Sequence, residues 1–165
     1  MDLMPILIGS IAMAAMVAPV MYIHKNRKNK ETSFIKQFNE LALQNNISIT
    51  QPEIWNIHYI ICLDAAANKI LYLKKNENQE NAVVIDLQQV ERCRVANKSH
   101  QIKSNGKNVA VIDRLDLAFI LRDKSKAEKT VEFYNGDESL CLRGELPLVE
   151  KWCELINQQL KKKSK

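Results

Sequence analysis

The chain has 165 residues, a formal net charge of +5 and a hydrophobic fraction of 46%, so its length allows one modest domain. Only 4 Gly and 4 Pro occur, which excludes collagen-like, mucin-like and long low-complexity chains. The excess of positive charge lies in two short flanks, because residues 31–160 hold 16 basic and 18 acidic side chains, a net charge of 16 − 18 = −2. Nucleic acid is therefore not an expected partner.

An uncharged run from Leu3 to Ile23 precedes a basic segment at residues 24–30. At about 1.5 Å per residue, a helix of this length spans roughly 30 Å, so a transmembrane helix is predicted over residues 3–23. The basic segment contains Lys25, Arg27, Lys28 and Lys30. Because no Lys or Arg precedes the run, the positive-inside rule predicts a single-pass membrane protein with its N-terminus outside and its C-terminal domain in the cytoplasm.

Two alternatives to this anchor stay open, namely a cleaved secretory signal and a buried core helix. Asp2 and the absence of a basic residue before the run count against a signal peptide. Within the run, Ser10, Ala14 and Ala18 recur at every fourth position. Such a stripe of small residues predicts a weak homodimer contact between two helices.

Residues 31–45 predict an amphipathic helix, since Phe34, Ile35, Phe38 and Leu41 recur at helical spacing. Its apolar face has few neighbouring cations, so docking on the downstream domain is favoured over a position on the membrane surface.

From Ile47 onward the apolar period changes to two, which is typical of half-buried strands. Strands are predicted at Ile54–Asp64, Lys69–Lys75, Ala82–Leu87, Val90–Ala96, Val109–Arg122, Lys129–Tyr134 and Ser139–Leu142. Their connections are short, which favours antiparallel pairing over helical crossovers.

The stretch between the fourth and fifth predicted strands, residues 97–108, carries Lys98, Lys103 and Lys107, no acid and an Asn-Gly turn. This composition predicts a mobile basic loop, which is a candidate anion-binding site or a solvated hairpin tip.

A second amphipathic helix is predicted at residues 145–160, with Trp152 on its apolar face. A basic tail follows at residues 161–165, with Lys161, Lys162, Lys163 and Lys165. Together with the cations of residues 24–30, these four lysines are candidate contacts to an anionic membrane surface.

The order of these elements, with Trp152 in the sequence EKWCELIN, resembles the pleckstrin-homology-like superfold, which includes the GRAM domains. The resemblance covers residues 47–160 and implies seven antiparallel strands in two orthogonal sheets, closed at one end by a C-terminal helix that carries the tryptophan. Phosphoinositide-binding members have several cations at the first hairpin loop, whereas residues 64–69 offer one acid and Lys69. Lipid headgroup recognition is therefore not implied.

The predicted fold class is α+β, with an N-terminal transmembrane helix, a short amphipathic helix, and a PH-like barrel of about seven antiparallel strands closed by a C-terminal helix. The layout is that of a small bacterial-type single-pass membrane protein. Another small barrel or sandwich with a terminal helix is the alternative for residues 47–160.

Motifs for catalysis or cofactor binding are missing from the sequence, including phosphate-binding loops, nucleophile elbows and zinc-protease motifs. The three His and four Cys lack the close pairs typical of metal sites. The sequence therefore predicts a protein that is not an enzyme and has no cofactor. A membrane-anchored interaction module for a protein or peptide is favoured, and lipid-surface sensing and an enzyme of unrecognised class are the alternatives.

The predicted topology can be tested with a reporter cysteine placed near Lys163. Because the C-terminal domain is expected in the cytoplasm, a membrane-impermeant thiol reagent should leave this cysteine unlabelled in intact cells and label it after lysis. Labelling in intact cells would reverse the predicted orientation.

Overall fold

The computed structural model describes residues 31–76, 80–104, 106–139 and 141–163. The predicted span at residues 3–23 and the basic segment at residues 24–30 lie outside them. Among the described helices, none combines the length and the apolar character needed to cross a bilayer.

The chain divides into two compact units, with the boundary between Leu41 and Ala42. Residues 31–44 are helical and form α1, which ends in a turn at residues 45–46. Phe34 and Phe38 lie one turn apart on α1, as their spacing predicts. Docking of this face on the downstream domain stays a prediction.

Sheet A contains four antiparallel strands in the order β1-β2-β3-β4. These are β1 (Glu53–Trp55), β2 (Tyr59–Asp64), β3 (Lys69–Lys75) and β4 (Glu80–Asp86). The prediction of one long strand from Ile54 to Asp64 is wrong, because Asn56 and Ile57 adopt positive φ angles of 50° and 64° and turn the chain between β1 and β2. The prediction of a half-buried strand is also wrong for β2, where Ile60 and Cys62 are as buried as Ile61.

Sheet B contains three antiparallel strands in the order β5-β6-β7. A short 3-10 turn at Leu87–Gln89 leads into β5 (Val90–Ser104), which is followed by β6 (Lys107–Leu121) and β7 (Lys129–Asn135). The predicted last strand, Ser139–Leu142, is not a strand at the described residues 139, 141 and 142. Bulges occur in the β5/β6 and β6/β7 pairings.

The C-terminal helix α2 (Glu145–Lys163) packs its apolar stripe on the core between the sheets. Val149, Trp152, Ile156 and Leu160 are buried at intervals of three or four residues, which is the spacing of one helix face. At the N-terminus of α2, the buried Glu145 accepts hydrogen bonds from the Arg143 backbone N–H and, at 2.6 Å, from Asn56 Nδ2. The turn between β1 and β2 is thereby tied to the start of α2.

The predicted barrel is wrong, because no described strand of sheet A pairs with a strand of sheet B and the two sheets do not close. A closed barrel requires every edge strand to pair with another strand, but β7 pairs only with β6 among the described strands. Side chains of sheet A take the place of a partner strand. Tyr72 Oη donates to the Glu132 carbonyl at 2.6 Å, and Trp55 Nε1 donates to the Phe133 carbonyl at 2.9 Å.

Aromatic stacking supports this contact between the sheets. The Trp55 ring lies 4.5 Å from the Phe133 ring and 5.2 Å from the Tyr59 ring, and both pairs are stacked. Rings from β1, β2 and β7 therefore pack against one another where side chains of the two sheets meet.

A buried ion cluster lies beside these rings. Lys74 Nζ is 2.5 Å from Glu132 Oε1 and 2.8 Å from Glu138 Oε1, and the Lys74 and Glu132 side chains are only 7% and 10% exposed. Tyr59 Oη donates to Glu132 Oε1 at 2.9 Å. Burial alone would lower the pKa of Lys74, but the hydrogen bonds to Glu132 and Glu138 outweigh it and raise the pKa. Lys74 is therefore held as a cation between two sheets.

We expect Lys74→Met to lower the free energy of unfolding by about 3–5 kcal/mol, because it leaves the buried Glu132 without its main counter-charge. Urea denaturation measures this loss. Lys75→Met is the matched control, since Lys75 pairs with Glu80 at 3.5 Å and both side chains are at least 40% exposed. It should cost less than about 1 kcal/mol. Equal losses for the two variants would contradict the role assigned to Lys74.

Candidate functional site

A groove of about 710 Å³ runs between α2 and the chain segment that enters β1. Its helix wall comes from α2 and its opposite wall from β1, the residues before β1 and the end of β2. The lining residues are Thr50, Gln51, Pro52, Glu53, Ile54, Leu63, Ala65, Lys151, Trp152, Leu155, Gln158, Gln159 and Lys162.

The wall before β1 is held by one buried carboxylate. Asp64 ends β2, and its side chain accepts backbone hydrogen bonds from Ser48 at 2.7 Å, Ala66 at 2.9 Å and Ala67 at 2.8 Å. The Ala67 and Ser48 N–H groups contribute most to holding the pKa of Asp64 below its usual value. Asp64 thus fixes both the turn after β2 and the segment that leads into the groove wall.

The helix wall is fixed at its far end by Gln159. This buried side chain donates to the Ala65 carbonyl at 2.9 Å and to Asn68 Oδ1 at 3.3 Å. Asn68 holds a left-handed backbone with φ 58°, which an Asn tolerates better than most residues. The last turns of α2 are therefore anchored to the same turn that Asp64 organises, and both walls of the groove share one support.

The charges along the groove are unequal. Glu53 Oε2 accepts hydrogen bonds from Lys151 Nζ at 2.7 Å and Trp152 Nε1 at 3.2 Å, so the Glu53–Lys151 pair links the two walls and is close to neutral. Lys162 is exposed and forms no ion pair with a described residue. Within the described part of the chain, the groove therefore keeps Lys162 as an uncompensated cation near the C-terminal end of α2.

Apolar surface is left open beside this cation. Ile54 is 39% exposed and Leu155 is 36% exposed, although both are large aliphatic residues in regular structure. In addition, β1 pairs only with β2 among the described strands, so it is an edge strand of sheet A. An edge strand next to an open groove with exposed aliphatic side chains is suited to binding an extended chain.

The sequence singled out only part of this groove. Trp152 was expected in the closing helix, and it is buried in the core with its indole N–H turned to Glu53. Leu155 lies on the same helix, and its side chain is open to the groove. Gln159 was not identified at all, because a glutamine on a helix is normally exposed and only the turn at residues 64–69 gives it partners.

The basic tail lies partly within the described residues. Lys161 and Lys162 are exposed in the last turn of α2, which extends to Lys163, and Lys165 lies outside the described residues. Contact of these lysines with a membrane surface stays a prediction. The candidate cations Lys25, Arg27, Lys28 and Lys30, and the predicted helix contact through Ser10, Ala14 and Ala18, also lie outside the described residues.

The predicted basic loop at residues 97–108 is wrong as a loop. Its described residues continue β5 as far as Ser104 and begin β6 at Lys107, and cross-strand pairs run from Lys98 with Arg114 to Ser104 with Lys107. We call the two-stranded ribbon of residues 98–104 and 106–113 the arm. Lys98, Lys103 and Lys107 are exposed on the arm, and their binding of an anion stays a prediction.

The acidic residues of the strands have separate structural partners. Asp86 accepts from the Gln88 backbone N–H at 2.9 Å, Asp113 lies 2.6 Å from His100, and Asp116 accepts from Arg114 at 2.7 Å. Across the described ranges, no three His, Cys, Asp or Glu side chains converge in a way that could hold a metal ion.

No protein-family model matches the chain, and neither a curated protein nor a solved structure matches it.

Asp64→Asn tests the support of the groove. Because the pKa of Asp64 is lower in the folded chain than the unfolded value of about 3.9, its carboxylate stabilises the fold above about pH 4, and this contribution is lost as the pH falls through the folded-state pKa. We expect Asp64→Asn to lower the free energy of unfolding by about 1–2 kcal/mol at pH 7, and by less as the pH falls below about 4.

Urea denaturation at several pH values measures both effects. Asp137→Asn, in an exposed turn, is the control and should change the free energy of unfolding by less than about 0.5 kcal/mol. A loss for Asp64→Asn that stayed constant or grew towards low pH would show that its charge does not stabilise the turn.

Proposed function

We propose that the chain is a non-catalytic interaction module that binds an extended peptide segment of a partner protein in the groove between β1 and α2. The observation that carries this proposal is the open groove beside an edge strand, where two aliphatic side chains, Ile54 and Leu155, are exposed at 39% and 36% among polar lining residues. Both walls are fixed by buried hydrogen bonds, so the groove is formed before a ligand arrives.

A rigid groove favours affinity because little conformational entropy is lost in the protein upon binding. Asp64 and Gln159 hold the two walls to one turn, and the Glu53–Lys151 pair links them at another point. A peptide that adds to β1 would satisfy backbone groups at the strand edge, while its alternate side chains contact Leu155 and Leu63.

The charges in the groove also indicate which charge the bound peptide should carry. Lys151 is neutralised by Glu53, whereas Lys162 has no ion-pair partner among the described residues. A carboxylate on the peptide placed at Lys162 gains a charge-assisted hydrogen bond, and a cation there is repelled. The proposed ligand is therefore an extended apolar segment that carries one acidic group.

Membrane localisation is a separate proposal. It is supported by the uncharged run at residues 3–23 and by the cations that follow it, which favour a cytoplasmic position for the domain. The groove would then be available to peptide segments of other proteins at the same membrane face. The resemblance to the PH-like superfold stays a prediction.

A random library of 12-residue peptides displayed on phage, selected against the purified full-length chain, tests the groove. We expect selected peptides to share apolar residues and an acidic residue. A synthetic copy, titrated by fluorescence anisotropy, should bind the Leu155→Glu chain at least about tenfold more weakly, because the substitution adds an acid to the apolar wall.

Leu43→Glu is the matched control. Leu43 is 77% exposed on α1 and does not line the groove, so the same substitution there should leave the affinity unchanged. Circular dichroism should show that both variants melt within a few degrees of the wild-type chain. Failure to select any peptide, or equal weakening by the two variants, would overturn the proposal.

A further inference from the structure

The arm extends sheet B beyond its third strand. β6 pairs with β7 only from Arg114 to Phe119, whereas its pairing with β5 continues to the hairpin tip. The arm is therefore two strands wide, and a ribbon of two strands buries little apolar surface by itself. Packing in the core therefore does not explain why apolar residues occur at the end of the arm.

One face of the arm points away from the core. On the core side, Val95 and Ile112 pack against the buried cluster. Side chains alternate along a strand, so Ile102 lies on the opposite face of β5. The Lys98/Ser99 bulge changes the alternation of β6, and Val109, the direct partner of Ile102, shares its outward face.

Ile102 and Val109 are among the most exposed large apolar residues of the described chain, at 42% and 45%. Because they are cross-strand partners, they form one continuous aliphatic patch. Val111 extends the patch on the same face towards the base of the arm.

The charges around this patch have one sign. Lys98, Lys103 and Lys107 are exposed, and none of them forms an ion pair with a described residue. Asp113, the acidic residue of the arm, lies 2.6 Å from His100 Nδ1, so its carboxylate already has a partner within the arm. Lys98 and Lys107 share the outward face with the aliphatic patch, because they lie an even number of positions from Ile102 and Val109, whereas Lys103 lies on the opposite face at the end of the arm.

We propose that the arm contacts an anionic lipid bilayer through this face, with Ile102 and Val109 entering the interface and Lys98 and Lys107 on the same face meeting lipid phosphates, while the long side chain of Lys103 reaches them from the opposite face at the end of the arm. Burial of aliphatic side chains in a bilayer interface is energetically favourable. Long lysine side chains can extend from the same site to the lipid headgroups. Two arms of equal charge repel each other, which disfavours a second copy, and the absence of aromatic side chains on the described arm disfavours nucleic acid.

This contact does not depend on the peptide groove, and it can be tested in the full-length chain incorporated into vesicles. A polarity-sensitive NBD label is attached at Val109→Cys in a Cys141→Ser background, because Cys141 is the exposed native cysteine of the described residues. We expect the emission to shift to shorter wavelength in phosphatidylcholine vesicles that contain phosphatidylserine, compared with phosphatidylcholine alone. Raising the salt from about 0.1 M to about 1 M should reduce the shift.

Three comparisons decide the outcome. The triple variant Lys98→Glu, Lys103→Glu, Lys107→Glu should lose the shift, and Leu155→Glu should keep it, because the groove is not involved. A label at Asn81→Cys, an exposed residue of β4, should not shift. The proposal would be overturned by an equal shift at Asn81 or by the same emission in both lipids. A shift that appears without lipid and grows with protein concentration would also overturn it, because it would assign the patch to contact with a second copy of the chain.

Discussion

The fold depends on side chains of sheet A that occupy the free edge of β7. Tyr72 and Trp55 donate to consecutive carbonyls of β7, and the Lys74–Glu132 pair joins the two sheets next to them. Burying one of these polar or charged groups without a partner would cost free energy, so each depends on the hydrogen bond or ion pair that it forms here. Side-chain contacts therefore join the two sheets, since no described strand of one sheet pairs with a strand of the other.

This arrangement also shapes the groove that we propose as a peptide-binding site. β1 supplies Trp55 to the contact between the sheets, while the residue two positions earlier, Glu53, points to α2 and pairs with Lys151. The same short strand therefore contributes to the core at one end and to the groove at the other. Its position as an edge strand leaves it open to an added chain.

The groove and the arm belong to different parts of the fold and favour different ligands. The groove combines the exposed aliphatic side chains of Ile54 and Leu155 with Lys162, which has no ion-pair partner among the described residues, and we propose an extended acidic peptide as its ligand. The arm combines an aliphatic patch with lysines, and we propose an anionic bilayer as its partner. Binding at both would hold the domain at a membrane surface while α2 and β1 engage a partner. Two weak contacts made by one domain strengthen each other, because once one contact has formed, the other forms at a high effective concentration.

Local patterns in the sequence were sufficient to predict α1, the C-terminal helix and most strands, because a period of 3.6 or 2 residues is a property of each segment alone. The position of Trp152 on the apolar stripe of α2 could be predicted in the same way. By contrast, the turn at Asn56 and the contact between the two sheets depend on side-chain partners 60 to 89 residues away in the chain. The continuation of β5 through Lys98 and Lys103 depends on pairing with Arg114 and Asn108 of β6. The sequence determined which segments are helical, extended or charged. The tertiary structure alone decided that Gln159 supports a groove and that Ile102 stays exposed, because burial and pairing depend on contacts that no local period records.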